Sequence, residues 1–247
     1  MKVMIAECLK GKRRFGFLMS VALAAIAILW CSMGKIDSDM LGREYDVYLY
    51  QMTLVHSLLM PVGMATLATR AWDMEYQSAS LKLLFTLQSR SGLYAMKALF
   101  GLAQILLISV LEAFGVTLLC HVDGVTQAYP LRNMLLFGLS TFAVNAMIFF
   151  ASLCLSIKKE SLALSLGAGA AMSMLGVFSA FMPPKAAALM PWGYYAQLVT
   201  VRMEYDSATR ISTFLPVPYD AAKLLVCVIL ALMFAALAWR MFREKEV

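Results

Sequence analysis

Charge is the scarcest commodity in this chain. Only 15% of its 247 residues are Asp, Glu, Lys or Arg, against about 25% in an ordinary soluble domain. There are two histidines, His56 and His121, and no His-Glu-x-x-His pattern, which removes the usual zinc-protease site. The five cysteines, Cys8, Cys31, Cys120, Cys154 and Cys227, include no Cys-x-x-Cys pair and are odd in number. Neither a disulfide framework nor a zinc cluster is indicated, and they read as small apolar fillers. No Gly-x-x-x-x-Gly-Lys-Ser/Thr loop is present to cradle nucleotide phosphates, and no Gly-x-Ser-x-Gly elbow to raise a nucleophile. An enzyme is therefore not expected, nor a metal site or a cofactor bound by this chain.

What the chain has in excess is apolar side chains, 62% of the total. They gather into six runs, at about 15–33, 47–69, 98–120, 133–157, 161–182 and 221–239. Runs near twenty residues span a hydrocarbon core about 30 Å thick. Backbone polar groups cannot stay unpaired in lipid, so each run must be helical. The predicted fold is an all-α integral membrane protein with six transmembrane helices in one domain, 1–247. The net charge of +6 points to headgroups rather than nucleic acid, because Lys10, Lys12, Arg13 and Arg14 directly precede the first run. That run is too long for a signal-peptide core and reads as a retained span.

Basic residues mark the cytoplasmic side of a membrane protein. With the N-terminus inside, 14 of the 21 basic residues fall on cytoplasmic segments, and the first outer loop is acidic, with Asp37, Asp39, Glu44 and Asp46. Both termini are thus expected inside. Val3, Met4, Ile5, Cys8 and Leu9 share one helical face, which suits an interfacial helix ahead of span one. The outer segment 183–220 is too long for a plain turn. Its Pro191, Trp192, Gly193 and Tyr194 suit short re-entrant helices in the outer interface.

A few polar residues lie where polarity is costly. Glu112 is the one carboxylate well inside a run, and a mid-membrane charge costs about 2.5–3.5 kcal/mol, so it must face protein or a wet cavity. Gln104 and Ser109 lie on roughly its side of the helix, while His56 and Asn145 occupy the middle of other spans. Two readings stand open: a proton relay, or interhelical hydrogen bonds. In span five, Ser161, Ser165, Gly169 and Ser173 make a ridge of small residues that lets another backbone approach closely, most simply one in the same chain.

The inner stretch 70–97 is amphipathic. Trp72, Asp73 and Glu75 open it, with acids suited to a helix N-terminus. Leu81, Leu83, Leu84 and Leu87 give it an apolar side, and Lys82, Arg90 and Lys97 return it to the bilayer. Taken alone, it would also serve as an interfacial anchor.

The order of an acid, a Lys-Leu-Leu centre, a Ser-Arg pair and a closing Lys (Glu75, Lys82, Leu83, Leu84, Ser89, Arg90, Lys97) resembles the permeases of the ABC transporter type-2 exporter class. So do the inner N-terminal helix and the six spans. Gln88 stands where many relatives carry Pro. Within the class, the short length and the Pro191-Trp192-Gly193-Tyr194 segment are most similar to the lantibiotic-protection (immunity) permease subunits. The resemblance implies a cytoplasmic coupling helix at about 72–88, where Glu75, Lys82, Leu83, Leu84 and Arg90 engage a separate ABC ATPase subunit, itself a dimer, that binds ATP and Mg. It also implies a second permease, similar or identical, in a bacterial plasma membrane. The cargo it implies is an amphipathic peptide antibiotic, expelled for self-protection or resistance. Alternatives are a bacitracin-like peptide, a drug, a lipid or an ion, and a proton-coupled secondary transporter using Glu112.

Overall fold

The computed structural model describes residues 16–34, 43–76, 89–125, 127–159, 161–179, 181–206 and 211–244. Its helices are α1 (Gly16–Ser32), α2 (Glu44–Tyr76), α3 (Arg90–Val122), α4 (Leu131–Lys159), α5 (Leu162–Ser179), the single turn α6 (Pro184–Ala187) and α7 (Ala221–Glu244). A 3-10 helix, Pro191–Ala196, follows α6, and two strands, β1 (Val201–Asp206) and β2 (Ile211–Pro216), precede α7. Helices α2, α3, α4, α5 and α7 are long and apolar enough to cross a membrane, whereas α1, at 17 residues, is shorter. Five described helices therefore meet the requirement, against the six spans expected.

The long helices overrun the apolar runs. α2 continues without a break through Tyr76, so residues 72–76, expected to open the coupling helix, form the last turn of span two. The rest of that helix, with Lys82, Leu83 and Leu84, lies outside the described residues, as does the N-terminal interfacial helix. α3 begins where Ser89 caps it, its hydroxyl accepting from Gly92 N at 3.2 Å. The Ser-Arg-Ser-Gly stretch thus starts span three.

The described residues are mostly helical, consistent with the expected all-α membrane protein, but part of the outer segment, expected to hold only short helices, is a β hairpin. β1 and β2 pair antiparallel in a hairpin, Val201 facing Pro216 and Asp206 facing Ile211. Val201 and Phe214 pack with Val47 into a small cluster beside Tyr50, and Arg43 donates from Nη1 to Phe214 O. The hairpin is thereby anchored to the start of α2.

α2 lies at the centre, packed on α1, α3, α4, α5 and the 3-10 helix. Small residues permit the close approaches. A Cβ on Gly101 would fall 2.3 Å from Phe149, one on Gly115 2.3 Å from Ile28, and one on Gly169 2.9 Å from Ala65. Pro61, inside α2, has no N–H to give Ser57 O. Gly176 brings α5 against that freed carbonyl, where a Cβ would sit 3.3 Å away. Ser165, Gly169, Ser173 and Gly176 are all buried, so the ridge of span five packs within this chain. Outward, Leu106, Val110, Phe114 and Leu118 of α3 and Leu225, Ile229 and Leu232 of α7 stay exposed, as side chains facing lipid should.

Candidate functional site

The polar residues of the mid-bundle meet. His56 on α2 and Glu112 on α3 are fully buried, with Nε2 and Oε2 3.1 Å apart. The contact is not aligned as a hydrogen bond, and Glu112 Oε1 finds no hydrogen-bond partner among the described residues. On its other side, His56 Nδ1 lies 3.5 Å from Thr141 Oγ1 on α4. The ring of His56 stacks on Phe137 at 5.5 Å and meets Tyr195 edge-on at 5.6 Å. Tyr195, in the 3-10 helix, donates to Asn145 Oδ1 of α4 at 2.5 Å. A single joint therefore ties α2, α3 and α4 to the outer segment, in surroundings where a charge is stable only when paired.

A second polar chain lies further along α2. Thr69 Oγ1 is 3.1 Å from Ser156 Oγ, which is 3.1 Å from Ser165 Oγ. These hydroxyls link α2, α4 and α5, and the single protons of Thr69 and Ser156 are shared between these contacts and their own helix carbonyls, Ala65 O and Ser152 O. Nearer the start of α3, Lys97 is buried and donates from Nζ to Ala71 O near the far end of α2. Arg90 donates from Nη1 to Arg243 O at 2.5 Å, tying the first turn of α3 to the last of α7.

Of the residues singled out in sequence, His56 and Glu112 are brought into direct contact, and Asn145 joins them through Tyr195. Gln104 is buried on roughly the same side of α3 as Glu112 but eight residues away, about 12 Å along the axis. Ser109 donates to Ile105 O of its own helix. Thr141 and Tyr195 were not anticipated: a threonine in an apolar run carries no distinguishing signal, and Tyr195 reads as an interface anchor. In the outer segment Pro191 opens the 3-10 helix, and Tyr194 donates to Ala188 O at 2.6 Å. Gly193 presses on α5, where a Cβ would meet Ser179 Oγ at 2.0 Å. Trp192 Nε1 is buried without a partner among the described residues.

No group of three or more His, Cys, Asp or Glu residues placed to hold a metal occurs among the described residues. The described cysteines, Cys31, Cys120, Cys154 and Cys227, are free and buried.

A family profile described as ABC-2 family transporter protein matches residues 3–179. The chain belongs to that family. Comparison with curated proteins gives no match. ABC-2 permeases are transmembrane components that generally work with an ABC ATPase partner, and several long apolar helices make this chain a multi-pass membrane protein. The match takes in α1 to α5 and residues 77–88 between α2 and α3. It ends at the last residue of α5, so the Pro191-Trp192-Gly193-Tyr194 segment that carries the likeness to lantibiotic-protection permeases lies beyond it.

Proposed function

We propose that the chain is the permease subunit of an ATP-driven exporter that removes an amphipathic peptide antibiotic, of the lantibiotic type, from a bacterial plasma membrane. ATP and Mg act on a dimeric ATPase partner, which engages residues 72–90, with Glu75, Lys82, Leu83, Leu84 and Arg90 as the contact set. A second permease, similar or identical, completes the path, and both termini are cytoplasmic.

The observation that supports a force-transmitting role is the route between the two ends of the bundle. Residues 77–88 connect α2 and α3, and those two helices are joined near the start of the segment by Lys97 and Ala71. They meet again in mid-bundle through His56 and Glu112. From there Tyr195 reaches the outer 3-10 helix. A displacement of the inner segment would be carried along two rigid helices to a polar joint and on to the opposite end. Buried polar contacts between helices suit this task, since they have discrete arrangements rather than a continuum.

Deleting the transporter genes from the host tests the cargo. Sensitivity to lantibiotics should rise at least several-fold on deletion and return with the restored genes. Unchanged sensitivity to lantibiotics would remove the cargo assignment, and a change confined to bacitracin would transfer it to that peptide class. A proton-coupled mechanism would instead make Glu112 indispensable and the inner segment dispensable.

A further inference from the structure

At the hairpin end of the bundle a cavity of about 510 Å³ opens between α2, the end of α5, the 3-10 helix, β1 and the start of α7. Its size lies within the range of about 300–1,000 Å³ that holds small molecules. Its wall is mixed in chemistry. Leu54, Phe181 and Met182 line it and are themselves exposed, apolar surface of a kind that suits acyl chains. Arg202 and Lys223 line it as well, and among the described lining residues there is no carboxylate. Lys223 Nζ is held 3.1 Å from Asp220 Oδ2, whereas the exposed Arg202 has no ion pair among the described residues. Gln197, also on the wall, spends its amide nitrogen on Ala187 O at 2.8 Å and leaves Oε1 buried and unpartnered among the described residues.

From this arrangement we infer that the cavity binds an anionic phospholipid with a hydroxyl-bearing headgroup, one acyl chain against Leu54 and Phe181 and the phosphate on Arg202. An apolar wall alone would accept any lipid tail. The guanidinium selects phosphate, which it can grip through two parallel hydrogen bonds. Lys223, by neutralising Asp220, keeps a carboxylate from repelling that phosphate at the mouth. The orphan oxygen of Gln197 asks for a donor, which a glycerol hydroxyl supplies and a trimethylammonium does not. Arg202, without an ion pair among the described residues, disfavours a cationic ligand here. The orientation given under Proposed function serves only to place it in the outer leaflet.

Photo-cross-linking of the full-length permease in nanodiscs tests this, using phosphatidylglycerol and phosphatidylcholine that carry the same diazirine acyl chain. Phosphatidylglycerol should label peptides containing residues 181–203 about five-fold more than phosphatidylcholine, the preference one basic side chain contributes beside an anionic headgroup. Arg202→Ala should abolish the preference, Lys223→Ala should reduce it, and Leu54→Trp, which adds bulk at the apolar residues, should remove the label. Arg132→Ala, an exposed cation off the cavity wall, should leave it intact, with gel filtration verifying each fold. Equal labelling by the two lipids, labelling elsewhere, or an Arg202→Ala variant that keeps its preference would overturn the inference. Neither ATP nor the ATPase is present, so a positive result beside unaltered antibiotic sensitivity would remove the cargo reading alone.

Discussion

Lys97, on the second turn of α3, reaches across to the backbone carbonyl of Ala71 near the far end of α2. It is the first tie between the two helices that flank residues 77–88, and only 4% of its surface is exposed. Lys97→Met keeps the length and apolar stem of the side chain but removes this donor. The expected result is a permease that folds, with stability lowered by about 1–3 kcal/mol. ATP turnover by the partner should become less responsive to cargo. Thermal unfolding of the purified complex, alongside its cargo-stimulated ATPase rate, measures both.

The His56–Glu112 contact separates a structural joint from a proton path. Removing one partner strands the other in an apolar interior, at a cost of about 3–5 kcal/mol, whereas a hydrophobic pair can be nearly neutral. His56→Leu or Glu112→Leu should each destabilise strongly, and the double variant less than either alone. Glu112→Gln, which keeps shape and hydrogen-bonding capacity, should retain transport within a few-fold. Loss of all transport in a well-folded Glu112→Gln protein would favour proton coupling instead.

Much of this was legible in the chain because lipid is an unforgiving solvent. A mid-membrane His56, Glu112 or Asn145 must find partners, and so announces itself. Their geometry was not legible, since it depends on Tyr195, which enters the bundle from a segment whose aromatics also suit an interface. The hairpin was missed for a different reason. Val201-Arg202-Met203-Glu204-Tyr205-Asp206 does alternate apolar and polar, but Ile211-Ser212-Thr213-Phe214-Leu215-Pro216 does not, and Ser207-Ala208-Thr209-Arg210 lacks the Asn-Gly or Asp-Gly signal of a tight turn that would pair the two. The continuation of α2 to Tyr76 was hidden because Asp73 and Glu75 end the apolar run without ending the helix.

Glycines of α5 offer a matched pair. Gly169 faces Ala65 and the carbonyl of Pro61, at 2.9 and 3.1 Å from an added Cβ, while Gly167 has nothing within 4 Å. Gly169→Leu should force α2 and α5 apart, costing about 1–3 kcal/mol or more. Gly167→Leu should be neutral or stabilising by up to about 1 kcal/mol, through helix propensity. Unfolding temperatures of the two variants in the same detergent make the comparison.

Asp220 caps α7, accepting from Lys223 N at 3.2 Å while pairing with its ammonium at 3.1 Å. The side-chain hydrogen bond from Lys223 holds its carboxyl below the usual carboxylate range. Because the folded value is the lower one, the stabilisation is complete above the unfolded pKa of about 3.9 and is lost as pH falls through the folded value. Asp220→Ala should cost about 0.5–2 kcal/mol at neutral pH. The gap between the two proteins should close in acid, as melting curves taken across pH will record.

The most direct trial of ATP-driven motion transmitted through the inner segment is Leu84→Asp, in proteoliposomes holding this permease and its ATPase. The charge should abolish ATPase binding, cargo-stimulated turnover and cargo release, while the permease keeps its native melting temperature. Undiminished binding and turnover in that variant, or cargo movement by the permease without the ATPase, would contradict the mechanism.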